Sequence, residues 1–284
     1  MDNSGESFRL VSLCSGYCGL DLGISRILPT RTVAYSEIEA FAVSNLLAKI
    51  KEGKLDPAPI WTDLKTFPCD GFSGVVDILC GGYSCQPFST AGKRKGDKDE
   101  RHLWPYIRKI IGKIRPQLCV FENVRGHITL GLPKVLKDLE RLGYRTVAGI
   151  FKAADVGAPH ERARLFILAY TNGSGLQRMW NKRKIQEGEA TAGYSGPCGT
   201  LLRWPKARGI LQETWEPPRV AGENMSLNPD WVETLMGLPA GWTLDEYSTR
   251  ESRLRLLGNG VVPQQAEFAI KTLIHDSLKL HEFL

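Results

Sequence analysis

The sequence has no long apolar run. No stretch of its 284 residues approaches the about 20 consecutive apolar residues that a membrane helix needs. Residues 1–7 lack the basic and apolar regions of a signal peptide. These two absences lead us to expect a cytoplasmic protein with no membrane partner. Metal ligands are sparse as well. There are five histidines, and although Cys14 and Cys18 stand close together, no second Cys or His pair completes a zinc site. No metal is therefore expected. The seven cysteines are odd in number and scattered, which excludes a disulfide framework and points to free thiols in a reducing compartment. No internal repeat is visible. Nor is there a G-x-G-x-x-G run after the first strand, which weakens a dehydrogenase reading.

What is present is an ordinary globular composition, 42% hydrophobic and 24% charged, enough to build a sizeable core. The net charge of +6 is uneven. Between Asn172 and Gln212 seven basic residues (Arg178, Lys182, Arg183, Lys184, Arg203, Lys206, Arg208) face only Glu187 and Glu189. That local excess suits either a polyanion partner or a solvated surface run.

Strand-like and helical patterns alternate along the first part of the chain. Phe8 to Cys14 reads as a strand, Ser15 to Gly19 as a tight turn, and Leu20 to Leu28 has helical apolar spacing. A second strand spans Thr32 to Ser36, and a helix runs from Glu39 to Lys51. Ile60-Trp61 begins a short third strand that ends near Asp63. The fourth, Val75 to Cys80, is short, apolar and β-branched, as in a buried parallel sheet. Helices follow at 103–114 and 133–142, and strands at 117–121, 144–151 and 163–170. Such alternation predicts an α/β fold with a doubly wound, mostly parallel sheet. Residues 172–226 show little periodicity and are expected to form irregular structure. Further on, Asn228 and Pro229 read as the cap and first residue of a helix. A last helix runs to about Leu280. The resulting division is 1–171 for a large domain, 172–257 for a small one, and 258–284 returning to the first.

Several residues carry chemistry. Gly81-Gly82 lead into Tyr83-Ser84-Cys85-Gln86, so Cys85 should lie on a loop beyond a strand's C-terminal end, where open α/β sheets bind ligands. A lone cysteine is more often a small buried hydrophobe. Gly16, Gly19 and Gly23 in the first strand–turn–helix would let a ligand approach the backbone. Glu37 ends the second strand, where it could accept from a ribose diol, and Asp63 ends the third, where it could take an adenine amino group. Together they describe a nucleoside-bearing cofactor. Glu122 ends the fifth strand, beside the Cys85 strand in most doubly wound orders. A thiolate and an acid there suit attack on an electron-poor ring. Arg162 and Arg164, two apart on a strand, should share a face. Their partner would be a ligand or a structural carboxylate.

In order and spacing these motifs resemble the cytosine-5 DNA methyltransferases. The resemblance runs through Leu13-Cys14-Ser15-Gly16-Tyr17-Cys18-Gly19, Glu37-Ile38, Asp63, Ser84-Cys85-Gln86, Glu122-Asn123-Val124, Arg162-Ala163-Arg164 and Gly258-Asn259-Gly260-Val261, and it covers 8–171 and 227–280. It implies a Rossmann-like fold and S-adenosylmethionine as cofactor. Cys85, Glu122, Arg162 and Arg164 would act on a flipped-out cytosine. Ser15, Gly16, Tyr17, Cys18, Gly19, Leu20, Glu37, Ile38, Asp63, Leu64, Gly82, Ser84, Leu103, Asn259 and Val261 would surround the cofactor. Gln86, Ser89, Lys93, Arg94, Lys182, Arg183 and Lys184 would touch DNA. Four positions depart from the family pattern: Ser84 replaces a usual proline, Cys14 a phenylalanine, Cys18 a glycine and His160 a glutamine.

The expectation is therefore a monomeric DNA (cytosine-5)-methyltransferase of a prokaryotic or phage-infected cell. It would act on double-stranded DNA, with a cognate restriction endonuclease as the partner to look for. A basic segment at 88–101 would close over the flipped base. The alternatives are an RNA cytosine methyltransferase of the same fold, a catalytically silent DNA-binding relative and, more distantly, a dehydrogenase.

Overall fold

The structure, a computed structural model, describes residues 7–83, 103–189, 204–207, 210–221 and 224–282. Seven strands form one sheet: β1 (Phe8–Leu13), β2 (Thr30–Ser36), β3 (Ile60–Trp61), β4 (Ile78–Gly82), β5 (Leu118–Val124), β6 (Arg145–Phe151) and β7 (Arg164–Tyr170). Their order is β3-β2-β1-β4-β5-β7-β6. The first five are parallel, while β7 runs antiparallel to both of its neighbours. The doubly wound, mostly parallel sheet expected from the alternating pattern is what forms.

Alternation along the strands sends side chains to two cores. One face of the sheet contributes Leu10, Ile78, Cys80, Leu118, Val120, Phe166 and Leu168; the other contributes Val11, Leu13, Leu79, Cys119, Phe121, Leu165 and Ile167. Helices cover both. On the first face lie α1 (Gly19–Ser25) and the last helix, whose buried positions Ala266, Ala269, Ile270, Leu273, Ile274 and Ser277 repeat at helical spacing. Burying each large aliphatic side chain contributes about 1.5–3 kcal/mol, so an acidic residue at Ile270 would open this face. α2 (Ala40–Lys51) follows β2. On the second face, α3 (Trp104–Ile114) buries Ile107, Ile110, Ile111 and Ile114, and Arg115 in the left-handed region ends it. α4 (His127–Leu130) and α5 (Leu132–Arg141) come after β5.

Two sequence expectations change. The fourth strand starts later and extends further than Val75 to Cys80. Val75 lies before it and is half-exposed, and both glycines continue the ladder, Gly81 opposite Leu13 and Gly82 opposite Glu122. Residues after 172 are also not irregular from the start, because α6 (Gly173–Glu189) forms there. Its Leu176 and Met179 are buried in the first core, so this helix packs on the sheet.

The remaining helices are α7 (Pro229–Leu235), α8 (Arg250–Asn259) and α9 (Pro263–Glu282), the last helix named above. Asn228 caps α7, its side chain accepting from the Asp230 amide at 3.0 Å, as its sequence signature predicts. A third cluster joins Met236, Leu238, Trp242, Leu256, Leu257 and Val262 to Tyr17, Ala42 and Ala158. The segment 229–262 is thus packed against the turn after β1. A two-stranded hairpin, β8 (Val220–Ala221) and β9 (Ser226–Leu227), precedes it.

Candidate active site

From β1 the chain winds outward through β2 and β3, then returns to place β4 and β5 on the other side of β1. The reversal leaves a crevice between β1 and β4 at the strands' C-terminal ends, the place where open α/β sheets hold ligands. The turn after β1, Glu37 after β2, Gly82 on β4 and Glu122 on β5 all lie along this edge.

The turn after β1 is held from below. The Gly16 amide donates to Glu37 Oε2 at 2.8 Å, and Glu37 Oε1 accepts from the Glu39 amide at 3.0 Å. A carboxylate has about four acceptor sites, so Glu37 keeps capacity for a hydroxyl pair. Beside it the Ile38 side chain is 73% exposed, an apolar surface that the described residues leave open. Ser15 Oγ donates to the Ser12 carbonyl at 3.1 Å. Cys14 and Cys18 both have left-handed backbone, φ 52° and 63°. That conformation costs a side-chain-bearing residue roughly 1–2 kcal/mol, which accounts for the glycine usual at position 18. Burial pushes the Cys14 thiol up to about 12, aided by the Glu37 charge, and pushes Cys18 up as well. Asp63 caps a short 3-10 turn (Leu64–Thr66), its Oδ1 accepting from the Lys65 amide at 2.9 Å. Leu20 and Leu64 are buried in the cores, and Leu103 packs against the second.

The last motif closes the turn from above. The Tyr17 hydroxyl donates to the Val261 carbonyl at 2.7 Å, and its ring lies against Gly260, where any Cβ would collide with it. Arg162 completes the clasp, Nη2 donating to the carbonyls of Gly258 at 2.8 Å and Gly260 at 2.6 Å. This corrects the expectation that Arg162 and Arg164 share a strand face. Arg162 has φ 37° and precedes β7, so the left-handed kink turns it away from the ladder toward α8.

Arg164, the first residue of β7, turns to Glu122 instead. Its Nε lies 3.1 Å from Glu122 Oε1, and both groups are largely buried. The partner is thus a carboxylate of the site itself. Glu122 packs against Gly82, where an added Cβ would sit 3.3 Å from Oε2. Burial pushes the Glu122 carboxyl up to about 7, against the opposing pull of Arg164 and Arg162. The group can therefore exist neutral or ionised near neutral pH, which suits a proton donor. The neighbouring Asn123, which no sequence signal had marked beyond its place in the Glu-Asn-Val run, donates from Nδ2 to the Tyr83 carbonyl at 3.1 Å.

Glu37, Ile38, Gly16, Tyr17, Gly82, Glu122, Arg162, Arg164 and Val261 are thus gathered at one edge, and Asn259 ends α8 beside the Arg162 clasp. Ser84, Cys85, Gln86, Ser89, Lys93 and Arg94, with the proposed closing segment 88–101, lie outside the described residues. So do the side chains of Arg183 and Lys184. Lys182 does not join the site. Its Nζ sits 5.0 Å from the centre of the Phe8 ring, at the start of β1 and so at the opposite end of the sheet. α6 packs on the sheet and carries Lys182 to the edge away from the turn after β1. Among the described residues no group of His, Cys, Asp and Glu could hold a metal, and no helix is long and apolar enough to cross a membrane.

Comparison with known proteins gives the chain its relatives. A model of the C-5 cytosine-specific DNA methylase family matches residues 8–214. Relatives include the Type II methyltransferase M.NaeI of Lentzea aerocolonigenes, 28% identical over 309 residues, covering 92% of this chain and 73% of that protein. The Type II methyltransferase M.NgoMIV of Neisseria gonorrhoeae is 33% identical over 172 residues, 58% of this chain and 52% of that protein. For M.AplI of Arthrospira platensis the figures are 39% over 108 residues, 37% and 30%. The chain thus spans about half or less of these last two relatives. Among solved structures, the Dnmt2 methyltransferase of S. pombe superposes with a TM-score of 0.64 at 19% identity, covering 95% of this chain and 99% of that one. The methyltransferase EhMeth of Entamoeba histolytica gives 0.64 at 14%, covering 95% and 99%. At such identities these two speak for the fold alone. With the family model spanning most of its length, from β1 to beyond α6, the chain belongs to the C-5 cytosine-specific DNA methylases.

Proposed function

We propose that this protein transfers a methyl group from S-adenosylmethionine to C5 of a cytosine in double-stranded DNA. The observation that carries the reading is the buried Glu122–Arg164 pair beside Gly82, three residues ahead of Cys85 in the chain. The target base must leave the stack, because C5 and C6 are approached from the ring face. Cys85 Sγ bonds to C6. Glu122, in the neutral form that its raised pKa keeps populated near neutral pH, donates to N3, and Arg164 holds the carbonyl oxygen. The negative charge that thiolate addition builds on the ring is thereby spread, and C5 becomes nucleophilic. Once C5 carries the methyl group, loss of its proton to water re-forms the double bond and expels the thiolate. Burial raises all five described thiols, Cys14, Cys18, Cys69, Cys80 and Cys119, which argues against any of them as the nucleophile.

The residues present fit the cofactor. Ile38 offers an uncovered apolar face to an adenine, Glu37 has acceptor capacity for a ribose diol, and Asp63 lies at the end of the neighbouring strand. Bound there, S-adenosylmethionine supplies an electrophilic methyl group. Arg162 and Tyr17 keep the last motif against this turn.

DNA recognition is assigned to the segment between α6 and α7. There Leu211 is 91% and Met225 69% exposed. Arg219 organises the base of the segment, donating to the carbonyls of Lys206, Ala207 and Ile210 while its guanidinium lies over Trp231. The test is expression in a host free of cytosine methylation, followed by bisulfite sequencing of its DNA and RNA. A single short DNA sequence should become methylated at one cytosine. Methylated RNA with unmodified DNA would overturn the choice of substrate, and no methylation in either would overturn the activity.

A further inference from the structure

Tyr83 immediately precedes Ser84-Cys85 in the chain, and Trp104 stands at the start of α3. The two rings meet, their centres 5.6 Å apart. Both pack edge-on to Phe121 of β5, at 6.0 Å for Tyr83 and 5.7 Å for Trp104. The residue just before Ser84-Cys85 and the first residue of α3 are thus held at one point. Aromatic packing alone is tolerant of small shifts, but here each ring also has a directional polar tie. The Tyr83 hydroxyl and His127 Nε2 lie 2.9 Å apart, with the imidazole edge-on to the phenol at 5.5 Å. Trp104 Nε1 donates to Asp138 Oδ2 at 3.0 Å. His127 is 3% exposed and sits on α4, five residues beyond Glu122. One short connection therefore runs from the acid of the site to the residue that fixes where the chain enters the nucleophile's segment.

We infer that the Tyr83–His127 hydrogen bond positions the reacting thiol. Cys85 follows Tyr83 by two residues, so a shift of the phenol is passed on through at most two peptide units. Misplacement by an ångström is enough to slow a positioned reaction by about a hundredfold. His127 and Tyr83 act through Cys85 and are therefore positioning residues. The inference rests on the proposed methyl transfer.

The variants Tyr83→Phe, His127→Leu, His127→Gln and Tyr83→Phe/His127→Leu test it on the full chain. A Gln side chain can return a polar group to where the Nε2 atom stood; Leu cannot. Two readouts are needed. Amide hydrogen exchange of the 80–86 peptide should speed up about fivefold or more in Tyr83→Phe and His127→Leu, the factor expected when one net hydrogen bond is lost. It should return toward wild type in His127→Gln. Single-turnover methylation at saturating DNA and cofactor should fall by at least the same factor in both single variants and recover in His127→Gln. KM for DNA should change less than twofold. The double variant should be no slower than the worse single one, since both break the same bond. Unchanged exchange, or faster exchange with wild-type single-turnover rates, would overturn the inference. A wild-type protein that methylates nothing would instead sink the reading of the site, while the exchange arm would still decide whether the bond holds the chain.

Discussion

Replacing Glu122 by Gln keeps the shape of the side chain and removes its titration. In the folded protein burial holds this carboxyl at about 7, against an ordinary value of 4.5. The gap corresponds to about 3 kcal/mol favouring the neutral form over the unfolded chain. The folded state therefore binds the proton more tightly. The associated stability is present below pH 4.5 and is lost as pH rises through about 7. Glu122→Gln has no such dependence. Urea melts of the two proteins should thus diverge with pH, the variant gaining on wild type by up to about 3 kcal/mol between pH 4.5 and 7.5. The pull of Arg164 on the charged form is already included in that value. Catalysis should move the other way. Wild-type kcat/KM should fall above about pH 7 as Glu122 ionises, and removing a positioned proton donor should slow single-turnover methylation by about 10²- to 10⁴-fold. Carbon-13 NMR of the Glu122 carboxyl gives the midpoint directly. A midpoint near 4.5, or a variant that methylates as fast as wild type, would refute the reasoning.

Three further perturbations separate the parts of the site. Arg162→Ala removes both bonds to the Gly258 and Gly260 carbonyls, so affinity for S-adenosylhomocysteine, measured by calorimetry, should fall by about tenfold while the Glu122 midpoint rises. Ile38→Ser removes an exposed apolar face, so the same affinity should drop by roughly tenfold, with a melting temperature within a degree or two of wild type. Lys182→Ala acts at the far end of the sheet and should leave the salt dependence of DNA binding unchanged; a slope reduced by about one would return this residue to the DNA interface.

Much of this architecture was legible in the chain. The apolar strands at 8–14, 32–36 and 117–121 sit in the sheet because both of their faces are buried, and such runs are visible as sequence. Glu37 and Glu122 were readable as strand-end carboxylates, and both stand on the ligand edge. Elsewhere the signal was physically absent. Among its described side chains α6 sets Leu176 and Met179 in the core with Trp180 packed against it, one short apolar patch between Gly, Gln, Arg, Asn and Lys that did not read as a helix. Arg162 leaves the strand through a left-handed φ that no residue type other than glycine announces. The charge of Lys182 is plain in the sequence, but its position at the start of β1 depends on where α6 packs. The pairing of Tyr83 with His127 joins residues 44 apart, a contact no local pattern encodes.

The central claim is a covalent bond between Cys85 and C6 of cytosine. Double-stranded DNA carrying 5-fluorocytosine at the methylated position tests it most directly, because fluorine blocks the elimination that frees the enzyme. With S-adenosylmethionine present, a denaturation-resistant complex should form, and mass spectrometry of its peptides should place the link on Cys85. Cys85→Ala should form none while still binding cofactor. A complex that persists in Cys85→Ala, or a link that maps to another cysteine, would contradict the account.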